Sequence, residues 1–319
     1  MDKKIFLAYL VSAVFVIALF SFFDASKVIG TILTFDLFLF GLILFLYLLI
    51  FVSKAIIWKL IVDPFEKISL EKSFYSLNIG FFANLILPLR AGEFVRAYLL
   101  SKFTSLQKSV ALSTVIVNRV IEVIFLLISF FIGLLALPTI SAEITTLIYL
   151  ISILFVFLIL VFVFSQKIIF LAKKIRIERF IPKNFSHILK NLISGGAALR
   201  KKRSIFLIAL HSIVNVLLHI AIYYVGAIGF GLDLDFTQLF FILSLSTLSA
   251  LIPSSPGYLG TFQAAFVASF VSLGLDAQTG LAMSIVLHLG SFVSTITLGL
   301  YSAHKLGIEI SKVFSQTKN

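Results

Sequence analysis

Charged residues are scarce in this sequence, and cysteine is absent. Only 13% of the 319 residues are charged, whereas a soluble domain carries about 25%, and 60% are hydrophobic. So little charge cannot cover a water-facing surface, which excludes an ordinary soluble protein and indicates an integral membrane protein of the all-α class. The lack of cysteine excludes disulfide bonds and thiolate metal sites.

Apolar runs close to the ~20 residues that a spanning helix needs recur along the chain. They predict helices at about 5–23, 36–62, 109–136, 144–165, 205–230 and 279–303. Two further apolar stretches, 73–101 and 237–275, are broken by Pro and Gly, at LPLRAG (87–92) and IPSSPGYLG (252–260). Such breaks survive at membrane depth only where protein or a watery cavity satisfies the freed backbone groups. The pattern predicts about six spanning helices and two re-entrant hairpins, with eight spanning or kinked helices as the alternative.

The positions of the basic residues favour the re-entrant arrangement. The net charge is +12, and many of the cations fall within residues 166–203. With both broken stretches re-entering, Lys27 is the only basic residue outside, as the positive-inside rule requires. If one stretch crossed completely, everything after it would invert. This topology predicts a multi-pass plasma-membrane protein with both termini and 166–203 in the cytoplasm.

The same topology divides one transmembrane domain, 1–319, into two inverted units. The two inverted units are predicted at 36–136 and 204–303. A first helix and external linker precede them (1–35), a spanning helix (137–165) and a basic cytoplasmic segment (166–203) lie between them, and a tail (304–319) follows. Broken helices at matching positions of inverted halves indicate a transport site near the bilayer midplane. The basic segment is either an anchor or a face for anionic lipid, and its charge alone does not indicate nucleic-acid binding.

Charged residues follow the first break, at a position where contact with lipid would be energetically unfavourable. Arg90, Glu93 and Arg96 are three residues apart, so a helix would put them on one broad face. The next helix contributes Asn118, Arg119 and Glu122. Each charge in a membrane costs about 2.5–3.5 kcal/mol, so these groups should face protein or water. They either lock helices together by ion pairing or bind an anionic headgroup, since three arginines outnumber two glutamates.

The second break offers backbone amides instead of cations. Ser255 is predicted to N-cap a half-helix that begins at Pro256, and the start of such a helix attracts phosphate. Gly257 and Gly260 would let a ligand approach the backbone. The alternative is that Gly and Pro merely permit a tight turn.

A polar stripe runs along the helix predicted at 205–230. His211, Asn215 and His219 are spaced four residues apart, and His288 on the last helix is a weaker case. These residues either form interhelical hydrogen bonds or line a polar pathway. The two stripe histidines lack a nearby carboxylate, so we predict no metal site, and no cofactor.

The residues at the breaks resemble a known family, the transmembrane region of lysylphosphatidylglycerol synthases, also called flippase-like proteins. The motif N-x-x-x-P-x-R-x-G-E-x-x-R spans Asn84 to Arg96, N-R-x-x-E spans Asn118 to Glu122, and S-P-G-x-x-G-x-x-Q spans Ser255 to Gln263. The resemblance covers nearly the whole chain. It implies a polytopic helical protein that moves lipids between leaflets, with these motif residues at the lipid site.

The resemblance and the charges together predict a lipid flippase or scramblase rather than an enzyme. We expect no synthase activity, because the 319 residues leave no room for the family's aminoacyl-transferase domain. The late motif often has glutamate where this chain has Gln263, and glycine where it has Tyr258, which argues against a cationic headgroup. The expected partners are anionic membrane lipids. The alternatives are a membrane enzyme acting on a lipid phosphate, and a non-transporting partner of a lipid or glycan synthase.

Overall fold

The computed structural model describes residues 23–87, 90–137, 201–249 and 255–308, with isolated positions between 10 and 21 and at 199. The helix predicted at 144–165 lies outside the described residues. Most of the helix predicted at 5–23 and most of the basic segment 166–203 lie outside them as well.

Within the described residues the secondary structure is entirely helical. The helices, in chain order, are α1 (Ala25–Leu33), α2 (Leu37–Val62), α3 (Leu70–Asn84), α4 (Gly92–Phe103), α5 (Lys108–Gly133), α6 (Lys202–Gly229), α7 (Phe236–Leu248), α8 (Thr261–Ser272) and α9 (Ala277–Lys305). A 3₁₀ turn, Leu134–Ala136, extends α5, and a second, Pro256–Tyr258, precedes α8.

Four of these helices are long and apolar enough to cross a membrane. They are α2, α5 with its 3₁₀ extension, α6 and α9, with 26, 29, 28 and 29 residues. The helices of the two broken stretches have only 12 to 15 residues. At 1.5 Å per residue they reach roughly 18–23 Å, less than the ~30 Å hydrocarbon core. None of the four short helices spans the core alone.

The two short helices of the first broken stretch pack side by side and run antiparallel. Asn84, at the end of α3, accepts a 2.8 Å hydrogen bond from the amide of Gly92, at the start of α4. One turn further back, a Cβ added to Gly80 would lie 2.9 Å from the Cβ of Arg96. The chain therefore turns back on itself between residues 84 and 92, which favours a hairpin over a kinked helix.

The contacts between helices come in matched pairs. The α2–α3, α3–α4 and α4–α5 contacts have counterparts in α6–α7, α7–α8 and α8–α9. Across the molecule, α5 packs on α7 while α9 packs on α3, and α2 packs on α6. The helices of residues 37–133 and those of 202–305 thus make the same set of contacts.

Aspartates begin several of the helices. Four aspartate carboxylates accept hydrogen bonds from backbone amides in the first turn of a helix. They are Asp24 at α1, Asp36 at α2, Asp235 at α7 and Asp276 at α9. Hydrogen bonds from nearby threonine hydroxyls and these amides lower the pKa of Asp235 and of Asp276. These caps explain why the apolar helices begin where they do.

Candidate functional site

Arg119 of α5 joins two carboxylates from different helices. Its Nη2 donates to Oε1 of Glu93, on the first turn of α4. Its Nη1 donates to Oε2 of Glu122, one turn along α5, over 2.5 Å. The spacing along α5 predicted the Arg119–Glu122 pair but not the contact with Glu93, and the structure brings all three together as a partly buried ion-pair network.

Lys54 of α2 completes this network and was missed by the sequence analysis. Its Nζ lies 3.5 Å from Oε1 of Glu122, which also accepts a 3.0 Å hydrogen bond from Asn118. The Nζ also lies 5.5 Å from the ring centre of Phe81 on α3. A lysine inside a predicted spanning helix is unusual enough to have been the signal.

Arg96 is the most enclosed cation of the site. Its side chain is only 2% exposed, and its guanidinium lies 3.9 Å from the ring centre of Trp58, which donates to Thr114. Its Nη1 is 3.7 Å from Oε2 of Glu93. In the described part of the chain, neither Nε nor Nη2 of Arg96 has a hydrogen-bond partner.

Arg90 of the first broken stretch contacts Tyr258 of the second. It lies before α4, not on it, with φ of 57°, and its guanidinium is 5.3 Å from the ring centre of Tyr258. Tyr258 also has a positive φ, 59°. Among the described residues these two are the only ones other than glycine with positive φ. Strained backbone of this kind costs of order 1–3 kcal/mol and clusters at functional sites.

The prediction for Ser255 was wrong. Pro256 begins only a single 3₁₀ turn, and Ser255 makes no capping hydrogen bond with its side chain. The half-helix α8 begins five residues later, at Thr261, with Gly260 as N-cap at φ of 84°. The Oε1 atom of Gln263 accepts a 2.8 Å hydrogen bond from the amide of Gly260, so this amide is not available to a ligand.

Gln263 also reaches the last helix. Its Nε2 donates to Nδ1 of His288 on α9 over 2.8 Å. The imidazole packs against Phe262 and Phe292, with ring centres 4.6 and 4.5 Å away. Gly257 is needed here, because a Cβ on it would lie 2.7 Å from the ring of Phe292.

The polar stripe of α6 lies against α2. Asn215 donates to the carbonyl of Ile50 over 3.3 Å, and the hydroxyl of Ser53 donates to the carbonyl of His211 over 3.2 Å. His219 donates from Nδ1 to the carbonyl of Asn215 over 2.7 Å. The side-chain bond of Asn215 is an interhelical hydrogen bond of the kind that the sequence predicted as the first of two alternatives, whereas the bond at His211 uses its backbone carbonyl and that of His219 stays within α6.

The comparison with known families agrees with the motifs. The family model for the lysylphosphatidylglycerol synthase TM region matches residues 5–299, which contain both broken stretches and every site residue. The chain belongs to this family. No curated protein and no solved structure gives a significant match. The lysylphosphatidylglycerol synthase TM family is thus represented here by a multi-pass helical protein whose charges meet between α2, α4 and α5.

Proposed function

We propose that the protein is a lipid transporter, a flippase or scramblase that moves an anionic phospholipid or a polyprenyl-phosphate lipid between leaflets. The observation that carries this proposal is the network of Lys54, Glu93, Arg96, Arg119 and Glu122. Five formal charges lie in apolar helices, where each costs about 2.5–3.5 kcal/mol, and they sum to +1. An excess cation enclosed by helices is suited to an anionic headgroup, while the acyl chains stay in the bilayer.

The proposed architecture is an inverted repeat with two re-entrant hairpins. The matched contacts of the two sets of helices support it, as does the shortness of the hairpin helices. In this arrangement the hairpins enter from opposite faces and meet where Arg90 lies over Tyr258. Such a meeting point separates the two aqueous sides, and transport requires it to open.

Translocation of fluorescent lipids in proteoliposomes tests the proposal. The panel compares phosphatidylglycerol, a polyprenyl phosphate and phosphatidylcholine. The native protein is compared with Glu93→Gln/Arg119→Gln, which removes both ion pairs of Arg119 and the carboxylate that faces Arg96, and the control is Arg203→Gln at an exposed position. We expect the native protein and the control to move an anionic lipid, and the double variant to lose most of this activity. Folded native protein that moves none of the lipids would overturn the proposal.

A further inference from the structure

One edge of the Arg96 guanidinium has no hydrogen-bond partner among the described residues. Nη1 faces Glu93, whereas Nε and Nη2 have no hydrogen-bond partner in the described part of the chain. These two nitrogens lie on the same edge of the guanidinium, so their N–H bonds point in nearly the same direction. A buried donor without an acceptor is costly, and two on the same edge of one cation call for an acceptor from outside the protein.

We infer that this edge of Arg96 is the binding site for one phosphate-type oxyanion. Parallel N–H bonds on a planar guanidinium match two oxygens of a phosphate group, and this bidentate geometry is what distinguishes arginine from lysine. The inference rests on the proposed function, in which the oxyanion is the phosphodiester of a lipid headgroup. It gives each of the three arginines a different role: Arg96 binds the phosphate, Arg119 holds the two glutamates, and Arg90 lies at the meeting point of the hairpins.

The charges of the network indicate how many negative charges the ligand carries. Three cations and two carboxylates leave one positive charge, which one phosphodiester neutralises. All four carboxylate oxygens of Glu93 and Glu122 already have partners in Arg96, Arg119, Lys54 and Asn118. The carboxylates of this network are thus already paired within the protein. We therefore expect the site to favour a headgroup without a cationic substituent.

The packing around Arg96 holds the edge formed by Nε and Nη2 in place. The guanidinium rests on Trp58, whose indole nitrogen donates to Thr114 over 3.2 Å. Gly80 leaves room for the Arg96 side chain, since a Cβ there would lie 2.9 Å from the Cβ of Arg96. With the cation 2% exposed, the structure corresponds to an enclosed site that a headgroup reaches only when the surrounding helices part.

Trp58 is the only tryptophan of the chain, so its fluorescence reports on this site directly. Purified protein in phosphate-free detergent solution is titrated with sodium phosphate, with short-chain phosphatidylglycerol and with short-chain phosphatidylcholine. We expect a saturable change in emission with phosphatidylglycerol, and binding at least about tenfold weaker in Arg96→Lys, which keeps the charge but not the fork. Arg203→Lys, the control at an exposed position, should bind as the native protein does. Gly80→Ala, which keeps every charge but displaces Arg96, should also weaken binding.

The outcomes separate the sources of the oxyanion and the two proposals. A response to inorganic phosphate as well as phosphatidylglycerol supports a general oxyanion site, and a response to phosphatidylglycerol alone supports a lipid phosphodiester. Equal affinity in native protein and in both Arg96→Lys and Gly80→Ala would overturn the inference. So would phosphatidylcholine binding as tightly as phosphatidylglycerol, or no saturable response from folded protein. Binding without translocation would leave the Arg96 site standing and remove the transporter proposal.

Discussion

Arg119 and His288 occupy the same position in the helices that end their halves of the chain. Each is the twelfth residue of its helix, counting from Lys108 in α5 and from Ala277 in α9. Each also bonds to the first turn of the preceding helix, Arg119 to Glu93 and His288 to Gln263. One half therefore carries a charged pair where the other carries a neutral pair, which concentrates the electrostatic field in the first half.

Replacing Arg119 alone should be more damaging than replacing it together with Glu93. Arg119→Ala leaves two carboxylates without their nearest partner, and because the network is only partly buried, the cost should fall below the roughly 3 kcal/mol of a fully buried pair. The double variant Glu93→Gln/Arg119→Gln removes one of these carboxylates and should unfold at a higher temperature than the single variant. Thermal unfolding in detergent, followed by size-exclusion chromatography, measures both. A double variant no more stable than Arg119→Ala would argue against the pairing.

Gly92 should not tolerate a side chain. A Cβ there would overlap the carbonyl oxygen of Gly80 and lie 2.6 Å from Oδ1 of Asn84, so Gly92→Ala must push α3 and α4 apart. We expect a clear loss of thermal stability. The matched control is Gly41→Ala on α2, where a Cβ meets nothing within 4 Å and alanine favours the helix by up to about 1 kcal/mol. A Gly92→Ala protein as stable as Gly41→Ala would contradict the tight packing of the hairpin.

The side chain of Gln263 performs two tasks that substitutions can separate. Its oxygen accepts the Gly260 amide and its nitrogen donates to His288. Gln263→Leu loses both bonds, at about 1 kcal/mol each, whereas Gln263→Glu retains an acceptor for the Gly260 amide. Thermal unfolding at neutral pH should therefore rank the native protein above Gln263→Glu, and that variant above Gln263→Leu. The reverse order of the two variants would mean that burying a carboxylate beside His288 costs more than the cap contributes.

The sequence predicted the long helices closely but not the contacts between them. The run at 36–62 became Leu37–Val62, because an uninterrupted apolar run of that length has few other ways to satisfy its backbone in a membrane. The start of α8 was misplaced because Gly260 and Gln263 together make a better cap than Ser255. Lys54 was missed because its partner Glu122 lies 68 residues away, and spacing along one helix cannot show such a pair.

Acid should weaken the start of α7. Hydrogen bonds from Thr237 and from the first-turn amides lower the pKa of Asp235 below its ordinary 3.8. The ionised cap therefore contributes its full stability above about pH 4, and the contribution is lost as the pH falls through the lowered folded-state pKa. Asp235→Ala should cost about 1 kcal/mol at neutral pH, and Asp235→Asn clearly less, because asparagine also caps. Unfolding temperatures at pH 7 and pH 3 measure this, and Asp235→Ala should lose less than the native protein between the two.

The contact between Arg90 and Tyr258 should control movement between leaflets. The sequence has no cysteine, so Arg90→Cys/Tyr258→Cys introduces a single pair of thiols at the tips of the two proposed hairpins, without background labelling. A reagent that links the two thiols should hold the tips together and stop lipid translocation, and one with a reducible link should allow recovery on reduction. The control pair, Lys202→Cys with Arg203→Cys, lies at the exposed start of α6 and should be insensitive to the reagent. Tyr258→Phe keeps a ring for the guanidinium and should transport as the native protein does, while Tyr258→Gly removes it and should leak lipid faster. Undiminished translocation with the tips linked would mean that the headgroup takes a path that does not pass between the hairpins.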